Sequence, residues 1–181
     1  MKNYLLLVLA MTIVNLQAAV ADTASLNEQL WQELNESYTS YYAEKKLPDN
    51  TDKIKDLIER GADVNFPNPY QLTRGWGGKT TSMPGETPLI LAVRTENVPL
   101  AEFLLSKKAN PNLAHFYFGK APLFYTVMGD KPKPKLAELL LRYGADVNIK
   151  DEKDRTPLGV LKMNLLADHP IIDILQAHGA R

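Results

Sequence analysis

Arg142-Tyr143-Gly144-Ala145-Asp146-Val147-Asn148 decides how this chain folds, because the stretch recurs. An earlier copy reads Glu59-Arg60-Gly61-Ala62-Asp63-Val64-Asn65, a worn one Lys107-Lys108-Ala109-Asn110-Pro111-Asn112, and a last one Ala177-His178-Gly179-Ala180-Arg181. Each follows an apolar segment of helical character, at residues 54–58, 101–105, 136–141 and 171–175. A helix commonly ends on a residue in the left-handed conformation, which glycine adopts without a Cβ clash. The Ala-Asp-x-Asn that follows then turns the chain away, since Asp and Asn side chains bond nearby backbone amides. A row of helix-ending units calls for a test of periodicity.

Anchored on the alanine after the cap, Ala62, Ala109, Ala145 and Ala180 stand 47, 36 and 35 residues apart. A second marker runs in phase: Thr87-Pro88-Leu89, Ala121-Pro122-Leu123 and Thr156-Pro157-Leu158, with prolines 34 and 35 apart. Thr before Pro offers an N-cap hydroxyl, and Pro suits the first helical turn, so this marker predicts helix starts. Two markers in step resemble the ankyrin repeat family, whose unit is a T-P-L helix, a second helix ending in L-L, and a G-A-D-x-N finger. The resemblance covers roughly residues 50–181 and implies an all-α solenoid of about four helix-turn-helix units with β-turn fingers. Two departures stand out. The family's His after T-P-L is Ile90, Phe124 and Gly159 here, and Lys107-Lys108 occupies the place of the second unit's capping glycine.

The start of the chain reads differently. Lys2, an apolar run from Tyr4 to Val14, and Ala19-Val20-Ala21 before Asp22 form the pattern of a secretory signal peptide. The run is shorter than the roughly 20 apolar residues a membrane span needs. Cleavage after Ala21 leaves a 22–181 repeat domain, and no stable membrane insertion is expected after it. With no cysteine in the chain, a disulfide framework, a thiolate zinc site and a cysteine nucleophile are excluded. A signal pattern with a cysteine-free mature chain fits a bacterial periplasm better than a eukaryotic secreted domain, which at this size often uses disulfides. Equal numbers of basic and acidic residues, 21 each, give no electrostatic reason to expect nucleic acid as partner.

Residues 24–46 read as one capping helix, with Leu26, Leu30, Leu34, Tyr38 and Tyr42 along one face, Trp31 and Tyr41 beside it, and a Ser25/Glu28 capping box. Such a helix covers the apolar end of an open stack. Residues 50–65 then form a partial repeat, 66–85 a long finger loop, and 86–112, 120–148 and 155–181 the repeats. The loop holds the twelve residues by which the first interval exceeds the last. Insertions of this kind map to loops, often on the binding side. Tyr70, Arg74, Trp76 and Lys79 in it are candidate partner contacts, being of types suited to interfaces, with packing of Trp76 onto the groove as the structural alternative. The next finger, Leu113-Ala114-His115-Phe116-Tyr117-Phe118-Gly119-Lys120, adds His115 and Tyr117. Strand alternation puts Phe116 and Phe118 on one side and Tyr117 on the other; if both phenylalanines pack between fingers, His115 and Tyr117 are left exposed.

No arrangement of catalytic side chains emerges. His115, His169 and His178 are scattered, and neither H-E-x-x-H, G-x-S-x-G nor a phosphate-cradling glycine loop is present. Cofactors are not expected, nor is enzymatic activity. The resemblance implies protein binding through finger tips and the concave face of the first helices, here Arg94, Asn97, Tyr125, Met128 and Lys162. Together with the signal pattern, it leads to the expectation of a monomeric periplasmic or secreted binding module. An immunity protein that sterically neutralises an antibacterial toxin is one reading. An envelope scaffold, an oxidative-stress-protective factor or a host-directed effector are others.

Overall fold

Thr87 opens its helix as its sequence predicts: Oγ1 accepts from the Ile90 amide at 3.2 Å and Pro88 fills the first turn. Thr156 makes the equivalent bond with the Gly159 amide, also at 3.2 Å. Ala121, at the same position, has no hydroxyl to offer, and the helix after it shrinks to four residues entered through tight turns such as Phe124 N–H to the Ala121 carbonyl. Local capping chemistry thus sets how much helix each unit forms.

The computed structural model describes residues 2–44, 46–47, 50–69, 85–116, 118–129, 131–163 and 169–181, with side chains from Gln17 onward except Ala18. Among these the secondary structure is helical throughout: α1 (Lys2–Glu44), α2 (Thr51–Glu59), α3 (Pro88–Arg94), α4 (Val98–Ser106), α5 (Phe124–Val127), α6 (Pro134–Arg142), α7 (Pro157–Met163) and α8 (Ile171–Ala177). They pair as hairpins, α1 with α2 through α7 with α8. The first helices stack on one another in one layer, and α4, α6 and α8 stack in the other. Between the layers lies one apolar core, including Leu89, Leu100, Leu104, Leu123, Leu136, Leu140 and Leu161. Each such side chain contributes about 1.5–3 kcal/mol by leaving water.

Every second helix ends alike. The amides of Ala62, Ala109, Ala145 and Ala180 bond back to the carbonyls of Leu57, Leu104, Leu140 and Leu175 at 2.9–3.0 Å. The residue before each alanine is left-handed: Gly61, Gly144 and Gly179 at φ 112°, 86° and 88°, and Lys108 at φ 69°. Lys108 therefore takes the glycine's conformation despite its Cβ. It keeps the same closing bonds, its amide to the Leu105 carbonyl at 3.0 Å and that of Ala109 to Leu104 at 2.9 Å, at a local cost of about 1–2 kcal/mol.

The first helix departs from the 24–46 span. It runs unbroken from Lys2, so Ser25 lies mid-helix, where Oγ accepts from Gln29 at 3.2 Å rather than capping an end. Among the described side chains, Leu26 is the first that is buried. Ala19 to Ser25 are exposed, whereas Leu26, Leu30, Trp31, Leu34 and Tyr38 are buried. Trp31 donates from Nε1 to the Phe66 carbonyl at 3.0 Å, which fastens α1 to the base of the first finger. Among the described residues no helix is long and apolar enough to cross a membrane.

Candidate functional site

The fingers are built by a ladder of asparagines. Within each turn an Asp or Asn side chain accepts from the amide two residues on, as Asp63 does from Asn65, Asn110 from Asn112 and Asp146 from Asn148. The last Asn then reaches across: Asn65 Oδ1 accepts from the Asn110 amide at 2.8 Å, Asn112 from Asp146 at 2.7 Å, and Asn148 from Arg181 at 2.9 Å. These bonds fix the spacing of neighbouring fingers. They explain the repeated Asp and Asn as scaffold rather than chemistry.

Between the first two fingers the long loop is closed at its stem. The Asn68 amide donates to the Glu86 carbonyl at 2.7 Å, and the Gly85 amide to the Asn68 carbonyl at 3.0 Å. Gly85 sits at φ 79°, and a Cβ there would lie 2.8 Å from the Cβ of Phe116 on the next finger. Glycine is required by both backbone and neighbour. Tyr70, Arg74, Trp76 and Lys79, and Tyr117 on the following finger, lie outside the described residues.

The 115–120 finger corrects the expected exposure pattern. His115 is buried, while Phe116 is 79% exposed and Phe118 40%. Strand alternation does not apply because the segment is a tight turn. The amides of Phe118 and Gly119 both return to the His115 carbonyl, and the His115 amide bonds the Lys120 carbonyl. His115 stacks on Phe118 with ring centroids 4.7 Å apart. Burial, with Arg94 and Lys120 nearby, pushes its pKa down to about 4. His115 is packing, and Phe116 is the aromatic presented to solvent.

On the inner layer Arg94 organises a cluster. Its guanidinium pairs with the fully buried Glu86, donates to Tyr38 Oη at 2.7 Å, and lies 4.9 Å from the Tyr38 ring. The rings of Tyr42 and Tyr125 each stand 5.9 Å away. Burial works against the charge, but Glu86 outweighs it and raises the Arg94 pKa further. Burial also raises Tyr125. Tyr41 is pushed up to about 12 by burial and by its bond to Glu96 Oε1 at 2.9 Å. Around this cluster opens a groove of about 440 Å³ lined by Tyr42, Phe118, Lys120, Tyr125, Met128 and Lys133 as well as Arg94.

Of the concave-face residues read from the sequence, Arg94, Tyr125 and Met128 come together here. Asn97 does not. It is buried, and its side chain caps α4 by accepting from the Leu100 amide at 3.0 Å. Tyr42, Phe118, Lys120 and Lys133 were not legible as a set, because they come from three separate segments. Among the described residues no group of three or more His, Asp or Glu side chains converges to hold a metal ion. The groove offers aromatic faces, the Met128 side chain, two lysine ammonium groups and the Arg94 guanidinium.

A family description of ankyrin repeats, in three copies, matches residues 40–151, more than half the chain. This chain belongs to the ankyrin repeat family. It is 32% identical over 108 residues to the ankyrin repeat protein FPV216 of fowlpox virus, which covers 60% of this chain and 32% of that protein. An ankyrin repeat protein of Rickettsia felis is 26% identical over 128 residues, 71% of this chain and 36% of its own length. A second fowlpox protein, FPV031, is 29% identical over 154 residues, 72% of this chain and 45% of that protein. The chain thus spans less than half the length of these relatives. As an ankyrin array it is a protein–protein interaction module, a class that binds rather than catalyses. In this ankyrin protein the repeat geometry extends past the matched residues, to Asn27 at one end and α8 at the other.

Proposed function

We propose that this ankyrin protein is exported to the periplasm or beyond the cell, and there acts as an immunity protein that sterically blocks an antibacterial toxin. The observation that carries the reading is the open groove of aromatic and cationic side chains beside the exposed Phe116. Phe116 also abuts the stem of the long loop, its amide donating to the Gly85 carbonyl. A surface of this kind suits a standard interface of roughly 1,600 Å² in total. Export is supported by the signal pattern. It is also supported by the exposure of Ala19 to Ser25, ahead of Leu26, the first buried side chain among the described residues.

The test is an affinity capture with mature protein (residues 22–181) from periplasmic extract and from co-culture with kin cells. The comparison is with Phe116→Ala and with a variant lacking residues 70–84. Retention of one stoichiometric toxin that is inactive in the complex, and its loss in either variant, is the expected result. Capture of an endogenous envelope protein instead would replace the immunity role by the scaffold or stress-protective one. Retention undiminished in both variants would sink the assignment of this flank.

A further inference from the structure

Two openings on the inner side of the stack share one lysine. The first is the aromatic groove of about 440 Å³. The second, about 370 Å³, lies between Glu96 and Val98 on one side and the 131–136 segment on the other. Lys133 lines both, with its Nζ donating to the Tyr125 carbonyl at 3.1 Å. The two openings therefore adjoin at Lys133 and are together termed the track.

The charge along this track is one-sided. Its lining, among the described residues, includes Arg94, Lys120, Lys131, Lys133 and Lys135, against Glu96 as the acid. Arg94 is already neutralised by Glu86, and Glu96 is engaged by Tyr41. Among the described residues, none of the four lysines makes an ion pair. Lys120 instead lies 5.1 Å from the Phe118 ring centroid, where an ammonium and an aromatic face stand together. Burial, with Arg94 nearby, lowers the Lys133 pKa despite the opposing pull of Glu96, so a further carboxylate beside it would stabilise a charge the fold still disfavours.

We infer that this track recognises an acidic, extended segment of the protein partner, with Asp or Glu flanking an apolar side chain. The apolar group seats on Tyr42, Phe118, Tyr125 and Met128, and the carboxylates meet Lys120 and Lys133. The inference rests on the protein-binding reading, but requires no toxin. Charge complementarity here selects the partner and its register rather than supplying most of the affinity.

The probe is the pentapeptide EEFEE, with QQFQQ and a duplex DNA oligonucleotide as comparisons, titrated into the isotope-labelled full chain and followed by amide chemical shifts. Shifts confined to the neighbourhood of Lys120, Tyr125 and Lys133 are expected, with QQFQQ about tenfold weaker. Lys120→Glu should weaken EEFEE by a similar factor while the melting temperature holds, and Lys133→Gln gives a second variant that keeps the neutral stem. Equal binding of QQFQQ, binding of the DNA in its place, shifts centred elsewhere, or no shifts at millimolar peptide would each overturn the inference. The two proposals fail separately. If EEFEE maps to the track but no toxin is captured, the immunity role falls and the track stands. If the partner is captured equally by Lys120→Glu, the reverse holds.

Discussion

Asn27 Oδ1 on α1 accepts from the Asp63 backbone amide at 2.7 Å. That is the bond Asn65, Asn112 and Asn148 each make to the finger that follows. A helix with no finger of its own thus supplies the first rung of the asparagine ladder. The N-terminal helix is bonded to the array as a repeat would be, and Trp31 to Phe66 reinforces the joint.

Asn27→Ala should lower stability by about 1–2 kcal/mol, because it strands the Asp63 amide beside the buried helix face. Asn27→Asp keeps an acceptor and should restore most of the loss. Urea unfolding of the mature chain reads both. An equal loss for Ala and Asp would mean the bond contributes nothing.

Arg94→Ala should destabilise far more than a surface change, by about 3–5 kcal/mol, since it leaves the Glu86 carboxylate buried without its counter-charge. The double variant Arg94→Met, Glu86→Leu should recover much of that. If thermal melting shows Arg94→Ala unchanged, Arg94 belongs to a binding surface alone.

Lys108→Gly should stabilise the second unit by about 0.5–1 kcal/mol, because glycine relieves the left-handed backbone at φ 69°. Lys107, which pairs with Glu59 at 3.2 Å, is untouched. A loss of stability in chemical unfolding would show that the Lys108 side chain contributes packing.

His115 should make the fold acid-sensitive. Its folded pKa, near 4, lies below the ordinary 6.5, so between those values the unfolded chain binds the proton and the folded one does not. Stability is then full above about pH 6.5 and falls as pH drops towards 4. Asp151 adds a second loss at lower pH. Burial alone would raise its carboxyl, but bonds from the Arg155 side chain and from the Arg155 and Lys153 amides hold it below its usual value. Melting curves from pH 7 to 4 should slope less for His115→Phe. Identical slopes would remove His115 as the cause.

How legible the site was depends on the range of the interactions involved. Arg94 and Tyr125 could be named from repeat phase, because equivalent positions on stacked helices face the same way. Asn97 could not be separated from them by phase, since its role as the cap of α4 depends on where α3 ends. His115 and Phe116 exchanged their expected environments because a turn, rather than a strand, sets side-chain direction there.

The sequence by itself determined the number of units, their 34–36-residue period, the cap at Thr87 and the family. These follow from interactions within a few residues: hydroxyl caps, left-handed glycines and Asx turns. Only the tertiary structure decided that Lys108 adopts glycine's conformation, that Asn27 serves as a rung, and that Tyr42, Phe118, Lys120 and Lys133 share one groove. The last two join residues from different units, which the stacking of one unit on the next brings within contact distance; the first is a backbone state that lysine's own propensity does not select.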